Sequence, residues 1–421
     1  MSPVLPFEIV ALIIDIVGEN KDTKLLKELA LVSHSFLEIC NKHLFTTIAL
    51  HDAIPNWRAS SKNGFVKLLK SRPDIVKYIR KLTYNVSQNH LNCFHTTLPV
   101  DHDDRRLSPI LPNFLQTIPQ LNCLTINASK LDWMSLDSAL RSALLHLMHL
   151  PTITYIDLSF IKNFPLTSLT PCINLQRLDI FYLEFFPILD EQDDSSEILQ
   201  SEMPRIRRLY TSDSSTLTKK LLHAKTQDGR PAFDFTDLRQ LSMSFTWPED
   251  EQNSRYLLQN AKLLEKLHLS VQQGRLSLVG LHDILSPTAR TLKALELTVS
   301  LCDDEPTPLA GLCRELEAMA GRNKLEALAL DVNVDGHETE DVIGSIIQKV
   351  EEVLIKPGWS PLKQVSFNIS IACCLVSRET SAELSKALQS LPDKYLSHLS
   401  KLESITFNYS ASVVKCAYEL G

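Results

Sequence analysis

The chain has 421 residues, of which 44% are hydrophobic and 22% charged, and its formal net charge is −7. This balance excludes a largely disordered chain, and the mild acidity excludes generic binding to nucleic-acid backbones. Only 11 glycines occur, and none lies in a phosphate-binding G-x-G-x-x-G or G-x-x-x-x-G-K-[ST] pattern. A nucleotide-dependent enzyme is therefore not expected.

No segment predicts a leader peptide or a membrane span. The apolar run at 9–17 is short, contains Asp15 and lacks a basic segment before it. No stretch reaches the roughly 18 apolar residues of a transmembrane helix. The nine cysteines include no C-x-x-C pair, which is typical of a reducing compartment. We expect a protein of the cytoplasm, the nucleus or both, with no membrane partner.

Residues 5–50 predict three short helices. Pro6 suits a helix start, and the polar stretch 18–23 ends the first helix. A second amphipathic run covers 25–32 and a third covers 35–43, where Ser35 and Glu38 have capping-box spacing. The first helix is predicted from apolar residues at helical spacing, which are Ile9, Leu12, Ile13, Ile16 and Val17.

Three helices in about 45 residues make a small core that needs a covering partner or domain. The apolar residues left outside that core are expected to form a docking patch. The alternative is that the helices only cap the structure that follows them.

Three short motifs in this region resemble an F-box, and their order and spacing are similar to F-box-like proteins of mushroom-forming (basidiomycete) fungi. They are Leu5-Pro6-Phe7-Glu8-Ile9, Leu29-Ala30-Leu31-Val32-Ser33-His34-Ser35-Phe36 and His43-Leu44-Phe45-Thr46-Thr47-Ile48. The resemblance covers residues 3–50. It implies docking onto a Skp-type adaptor and, through it, a cullin ubiquitin ligase.

The resemblance also assigns adaptor contacts by position. They are Leu5, Pro6, Ile9, Ile13, Leu31, Val32, Ser33 and Phe36. The sequence departs from the family at two of these positions. Phe36 stands where tryptophan is commoner, which makes the buried anchor smaller, and Ser33 stands where cysteine is frequent.

An L-x-x-L-x-L-like signature recurs along the rest of the chain. Clear copies begin at Leu121, Ile153, Leu175, Leu238, Leu264, Leu292 and Leu325, and weaker copies at Ile79, Ile206, Leu362 and Leu402. Each copy predicts a short strand with one buried face. Helical periodicity appears between the strands at 136–148, 255–264, 309–319, 342–355 and 380–391.

This alternation resembles F-box proteins with leucine-rich repeats over residues 75–410. Successive copies are 22 to 42 residues apart, whereas regular repeats step by about 20–29, so the repeats are irregular. We predict an α/β fold with an F-box-like three-helix module at 1–50 and a helical linker at 51–74. A curved leucine-rich-repeat solenoid would occupy 75–421, with a parallel sheet inside and helices outside. An all-helical array such as HEAT repeats is the rival architecture.

Side chains that alternate with the leucines are expected on the open, concave face of the sheet, where a protein target would bind. One predicted column runs through Asp157 and Asp179 and ends at Ser366 and Thr406. Aromatic residues on a polar surface are favoured interface anchors. The candidate target contacts are Tyr155, Asp157, Asp179, Phe181, Tyr210 and His268.

Candidates for other chemistry are weak. The potential metal ligands His90, Cys93, His95 and His102 match no zinc framework. His146 and His149 are three residues apart on a predicted helix and are expected to face one way, but they lack a third ligand. No hydrolase signature occurs. The acidic stretch 190–197 indicates a solvated loop or a phosphorylation site at Ser195 or Ser196.

These observations predict a non-enzymatic protein without metal or cofactor. Its expected role is the substrate-recognition subunit of a Skp–cullin–F-box ubiquitin ligase, which binds the adaptor through its first helices and an unknown protein target through its repeats. One alternative is a leucine-rich-repeat scaffold, or an F-box-like protein, with no role in degradation. The other, from a different class, is a hydrolytic or metal-dependent enzyme.

Overall fold

A computed structural model describes residues 6–51, 61–86, 110–181, 203–212, 215–226, 229–245, 248–271, 278–302, 311–335, 340–373 and 378–415. The chain divides into two compact units. Unit 1 comprises Met1–Pro204 with His223–Phe233, and unit 2 comprises Arg205–Leu222 with Asp234–Gly421. None of the helices in the described ranges is long and apolar enough to cross a lipid bilayer.

Unit 1 begins with the three predicted helices, α1 (Phe7–Glu19), α2 (Thr23–Ala30) and α3 (His34–Leu44). The predicted capping box at Ser35 is wrong, because the N-cap of α3 lies two residues earlier. Ser33 is the N-cap: its backbone is extended, and its hydroxyl accepts the Phe36 N–H at 3.2 Å. A serine in this position satisfies one of the helix's free N–H donors.

The sheet of unit 1 contains β1 (Thr47–His51), β2 (Lys81–Val86), β3 (Cys123–Asp132), β4 (Tyr155–Lys162) and β5 (Arg177–Phe181). The strands are parallel and pair in chain order. Helices α4 (Ser61–Ser71), α5 (Ile110–Gln116) and α6 (Ser138–Met148) lie between them in the sequence. β1 was not predicted, although Phe45-x-x-Ile48-x-Leu50 carries the same signature as the later strands.

Unit 2 contains seven parallel strands in the described residues. They are β6 (Arg208–Ser212), β7 (Gln240–Phe245), β8 (Lys266–Val271), β9 (Ala294–Cys302), β10 (Ala327–Asp335), β11 (Gln364–Cys373) and β12 (Thr406–Lys415). Neighbours in the chain are neighbours in the sheet. The helices of this part of the chain are α7 (Ser215–His223), α8 (Pro248–Asn260), α9 (Leu281–Leu285), α10 (Leu312–Met319), α11 (Glu340–Leu354) and α12 (Arg378–Tyr395).

The parallel strands and intervening helices confirm the predicted α/β class and exclude an all-helical array. The leucine signature places the core: Leu124, Ile156 and Leu178 stand side by side on β3, β4 and β5 and are fully buried. Their burial repeats along the chain because alternate strand residues point to opposite faces. Burial of each such side chain contributes roughly 1.5–3 kcal/mol.

The register predicted for the last strand is wrong by two residues. Ser366 lies beside Asn408 rather than Thr406, because the copy anchored at Leu402 is not the one that pairs. The apolar residues that face the helices are Phe407 and Tyr409. The Tyr409 hydroxyl donates a hydrogen bond to the Leu388 carbonyl at 2.6 Å, and Leu402 instead follows a 3₁₀ turn, Leu399–Lys401.

Candidate docking surfaces

Helix α1 is apolar on both of its long faces. Ile14 is 1% exposed and faces the module's interior, where Val10 and Val17 pack beside it. Most of the apolar stripe predicted on α1 lies outside that interior. The stripe residues that stay exposed lie within about 100° of one another around the helix, and they are Ile9, Leu12, Ile13 and Ile16.

The three helices together expose eight large apolar side chains, from 37% to 88% of their area. We call this set the N-terminal apolar surface; it comprises Phe7, Ile9, Leu12, Ile13, Ile16, Leu25, Leu31 and Val32. The module's own fully buried core is smaller, with only Ile14, Leu26 and Cys40. Helices that are apolar beyond the needs of their own core are normally buried against something else.

The structure places the predicted adaptor contacts in three different environments. Pro6, Ile9, Ile13, Leu31 and Val32 are exposed. Ser33 is exposed and caps α3, whereas Phe36 is partly buried and packs against the module's core. Leu5 lies outside the described residues. The other members of this surface, Phe7, Leu12, Ile16 and Leu25, were not among the predicted contacts. The apolar periodicity of the first two helices included Leu12, Ile16 and Leu25.

Polar contacts of Asp15 join α1 to α3. Asp15 Oδ1 lies 2.6 Å from His43 Nε2 and 3.3 Å from Lys42 Nζ. The hydrogen bond from His43, helped by Lys42, lowers the pKa of Asp15 below its ordinary value. Gly18 allows the helices to approach this closely, because a Cβ there would collide with the His43 ring.

The open face of the unit 1 sheet, opposite the buried Leu and Ile side chains, carries a compact polar network. Arg177 and Asp179 are two residues apart on β5 and form a forked ion pair, with Nη2 2.6 Å from Oδ2 and Nε 3.1 Å from Oδ1. The Tyr155 hydroxyl on β4 donates to Asp179 Oδ2 at 2.8 Å. The Arg177 guanidinium also lies 4.2 Å from the centre of the Tyr155 ring. We call Tyr155, Arg177 and Asp179 the Arg177 network.

Burial affects one acid of this network, Tyr155, and one beside it, Asp157. Burial, followed by the hydrogen bond to Asp179, raises the pKa of Tyr155. Asp157 accepts from Ser159 at 3.0 Å, but removal from water and the charge of Asp179 raise its pKa. Asp179 itself is buried. Arg177 and Tyr155 are partly exposed, so they are the members of the network that solvent can reach.

The open face of unit 2 is a ladder of polar side chains. His268 on β8 bridges its two neighbours, with Nδ1 2.8 Å from Ser242 Oγ and Nε2 2.9 Å from Thr298 Oγ1. Tyr210 lies on β6 beside Ser242. In unit 1, Phe181 lies beside Ser159 on the open face. The sequence analysis identified these positions but missed Arg177. The signal was present, because Arg177 and Asp179 are two residues apart and therefore lie on the same face of a predicted strand.

His146 and His149 both line a groove of about 720 Å³ that also includes Trp133 and Arg141. His149 Nε2 lies 2.8 Å from the Ser168 carbonyl oxygen. Within the described ranges, no three His, Cys, Asp or Glu side chains are grouped so that they could hold a metal ion. His90, Cys93, His95, His102 and the stretch 190–197 lie outside the described residues.

No protein-family model matches the sequence, and no curated protein matches it either.

Proposed function

We propose that this chain is a substrate-recognition adaptor of a Skp–cullin–F-box ubiquitin ligase. Its N-terminal helices would bind a Skp-type adaptor, and its open sheet faces would bind a protein target. The observation that carries the proposal is the N-terminal apolar surface, which lies on an F-box-like sequence. Ubiquitin transfer belongs to other subunits, so the chain itself needs no catalytic group.

The energetics of the N-terminal module favour a bound partner. Complete burial of a large apolar side chain is worth roughly 1.5–3 kcal/mol, and the eight surface residues are about half exposed on average. Covering them would contribute roughly 1 kcal/mol each on this scale. The total, roughly 8 kcal/mol, is of the same order as the roughly 4–15 kcal/mol lost in translational and rotational freedom on association.

The Arg177 network is the best-defined element of the proposed target surface. Arginine and tyrosine are enriched among residues that dominate binding energy. Asp179 fixes the guanidinium from below, so little side-chain entropy would be lost when a target binds. A target group that meets Arg177 would accept hydrogen bonds, as a carboxylate or a carbonyl does. Asp179 would act through Arg177 rather than touch the target.

Co-expression with a fungal Skp-type adaptor tests the docking proposal. The native chain should co-elute with the adaptor in size-exclusion chromatography. Ile13→Asp places a charge at the centre of the exposed stripe of α1, where burial of an unpaired carboxylate is costly, and should weaken binding by at least about 100-fold, or roughly 2.7 kcal/mol. Lys27→Asp introduces the same residue at an exposed polar position of α2 and should leave co-elution intact.

Two results would contradict the proposal: the folded native chain elutes apart from the adaptor, or both variants bind alike. The first result would favour the scaffold whose helices only cap the repeats. If the adaptor binds, adding the cullin and the ubiquitination enzymes distinguishes a degradation subunit from an F-box-like protein without that role. Only the former would support ubiquitin transfer to a captured target.

A further inference from the structure

The last described strand of unit 2 has one edge that no described strand pairs with. β12 pairs with β11 along one side, and among the described residues no strand pairs with the other side. Its ten residues, Thr406–Lys415, span about 33 Å at the usual rise. An edge of this length presents a row of free N–H and C=O groups, which is a template for a further strand.

The apolar residues of β12 are less completely buried than those of β11. On β11 the residues facing the core are fully buried; they are Val365, Phe367, Ile369 and Ile371. Their neighbours on β12 are only partly buried, and they are Phe407, Tyr409, Ala411 and Val413. β1, which ends the described sheet of unit 1, differs: its Leu50 is fully buried. The apolar layer of unit 2 is therefore open beside β12.

Proteins usually protect such an edge with charged residues, proline, a bulge or a short strand. β12 has none of these devices except one charge at its end: it contains neither proline nor glycine, and Lys415 is its single charged residue. Its register with β11 is unbroken from Thr406 to Lys415. The edge is therefore competent to pair with another strand.

The ladder fixes which residues face the free edge. The Thr406 N–H donates to the Lys363 carbonyl on the β11 side at 2.7 Å. In a parallel ladder, alternate residues bond to the same neighbour, so the N–H and C=O groups of the residues between them point outward. Those residues are Phe407, Tyr409, Ala411 and Val413.

We propose that the partner is β12 of a second copy of this chain, paired antiparallel about a two-fold axis at Ser410. The sequence of β12 is complementary to itself in this register, because its first half is bulky and its second half is small. Tyr409 would face Ala411 of the second copy, and Phe407 would face Val413. An isologous contact of this kind satisfies both edges at once and closes the assembly as a dimer.

Sedimentation or light scattering of the full chain over a range of concentrations tests the proposal. The mass should rise from 47.6 kDa to twice that value. Ala411→Pro removes only an N–H that points to the free edge, so it should keep the β11 ladder and return the protein to a monomer. Val413→Lys, which puts a charge opposite Phe407, should do the same. A native chain that stays monomeric would overturn the proposal, as would a dimer that tolerates both variants.

A disulfide tests the register. The two Ser410 residues would form a non-hydrogen-bonded pair with Cα atoms about 4.5 Å apart, within the range of about 4.4–6.8 Å that a disulfide spans. Ser410→Cys should therefore give a cross-linked dimer under oxidation, above the background of the native cysteines. Asn408→Cys is the matched control, because the two copies would be about 13 Å apart. Equal cross-linking by the two variants, or none by Ser410→Cys, would refute the register.

Discussion

Asp15 links two helices of the N-terminal module through one carboxylate oxygen, which contacts His43 and Lys42. These contacts lower the pKa of Asp15 in the folded protein. A carboxyl with a lowered folded pKa stabilises the fold fully above its unfolded pKa, and this stabilisation is lost as pH falls through the folded value. The contribution is modest because the side chain is about one-third exposed.

We therefore expect Asp15→Asn to reduce the free energy of unfolding by roughly 0.5–1 kcal/mol at neutral pH. The difference between native and variant should shrink as the carboxyl is protonated, below about pH 4. Urea denaturation at a series of pH values measures it. A difference that stays constant down to pH 3, about one unit below the ordinary value, would show that the charge of Asp15 is not what matters.

Ser33 shows what a local sequence pattern can and cannot decide at a single residue. Ser33 and Ser35 both precede the apolar residues of α3, and Ser35 has the better-known spacing to a glutamate. The extended backbone of Ser33 selects it as the cap. Side-chain spacing alone does not report backbone angles, so the helix start was predicted only to within two residues.

At the scale of elements, buried glutamates connect helices to the segments beside them. Glu351 on α11 is 3% exposed and accepts the His398 and Leu399 N–H groups, each at 2.9 Å. Glu315 on α10 accepts the His282 N–H at the start of α9 in the same way. Each carboxylate satisfies donors at the start of a helical turn, which a helix cannot satisfy itself.

Glu351→Ala should lower the stability of unit 2 by roughly 2–4 kcal/mol, because it leaves the buried Leu399 N–H and the partly buried His398 N–H without their acceptor. Chemical denaturation followed by circular dichroism is the measurement. Glu352→Ala is the control, since Glu352 is adjacent but exposed, and it should change stability by less than about 0.5 kcal/mol. Similar effects for both variants would mean that Glu351 contributes only helix propensity.

The orientation of α1 was beyond sequence reasoning for a physical reason. Both faces of the helix are apolar, and periodicity identifies a stripe without telling which of two stripes meets the core. The packing decides: Ile14 meets Leu26 and Cys40, and the Ile9–Ile13 side is left outside. The register predicted for β12 was wrong for a similar reason. Leu402 and Ile405 match the leucine signature, but the residues that pair with β11 lie two positions further along the chain.

Across the whole molecule, the leucine signature predicted strand positions well. Ten of the eleven predicted strands begin two residues after their first anchor, as β4 does at Tyr155 after Ile153. The signature succeeds because one buried residue in every two is a direct consequence of strand geometry. The side-chain contacts on the open face were harder to predict. The Arg177 network joins residues of two neighbouring strands, and the sequence of one strand does not determine its register with the next.

The uneven distribution of buried residues predicts uneven stability. The N-terminal module has three fully buried apolar residues, whereas β3 and β4 carry a long run of them. Amides of α1–α3 should therefore exchange with deuterium faster than those of β3 and β4, because segments with few buried contacts open at lower cost. Under the proposed function, adding the Skp-type adaptor should slow exchange in α1 selectively. Equal protection of α1 and β4 in the free chain would contradict this expectation.

The N-terminal apolar surface also has a consequence for the amount of this protein in a cell. A chain that displays such a surface is recognised by chaperones and proteases, which continuously sort incompletely covered proteins. Under the proposed function, molecules without an adaptor would be removed first. The abundance of the protein would then follow the supply of free adaptor, and any excess over that supply would be short-lived.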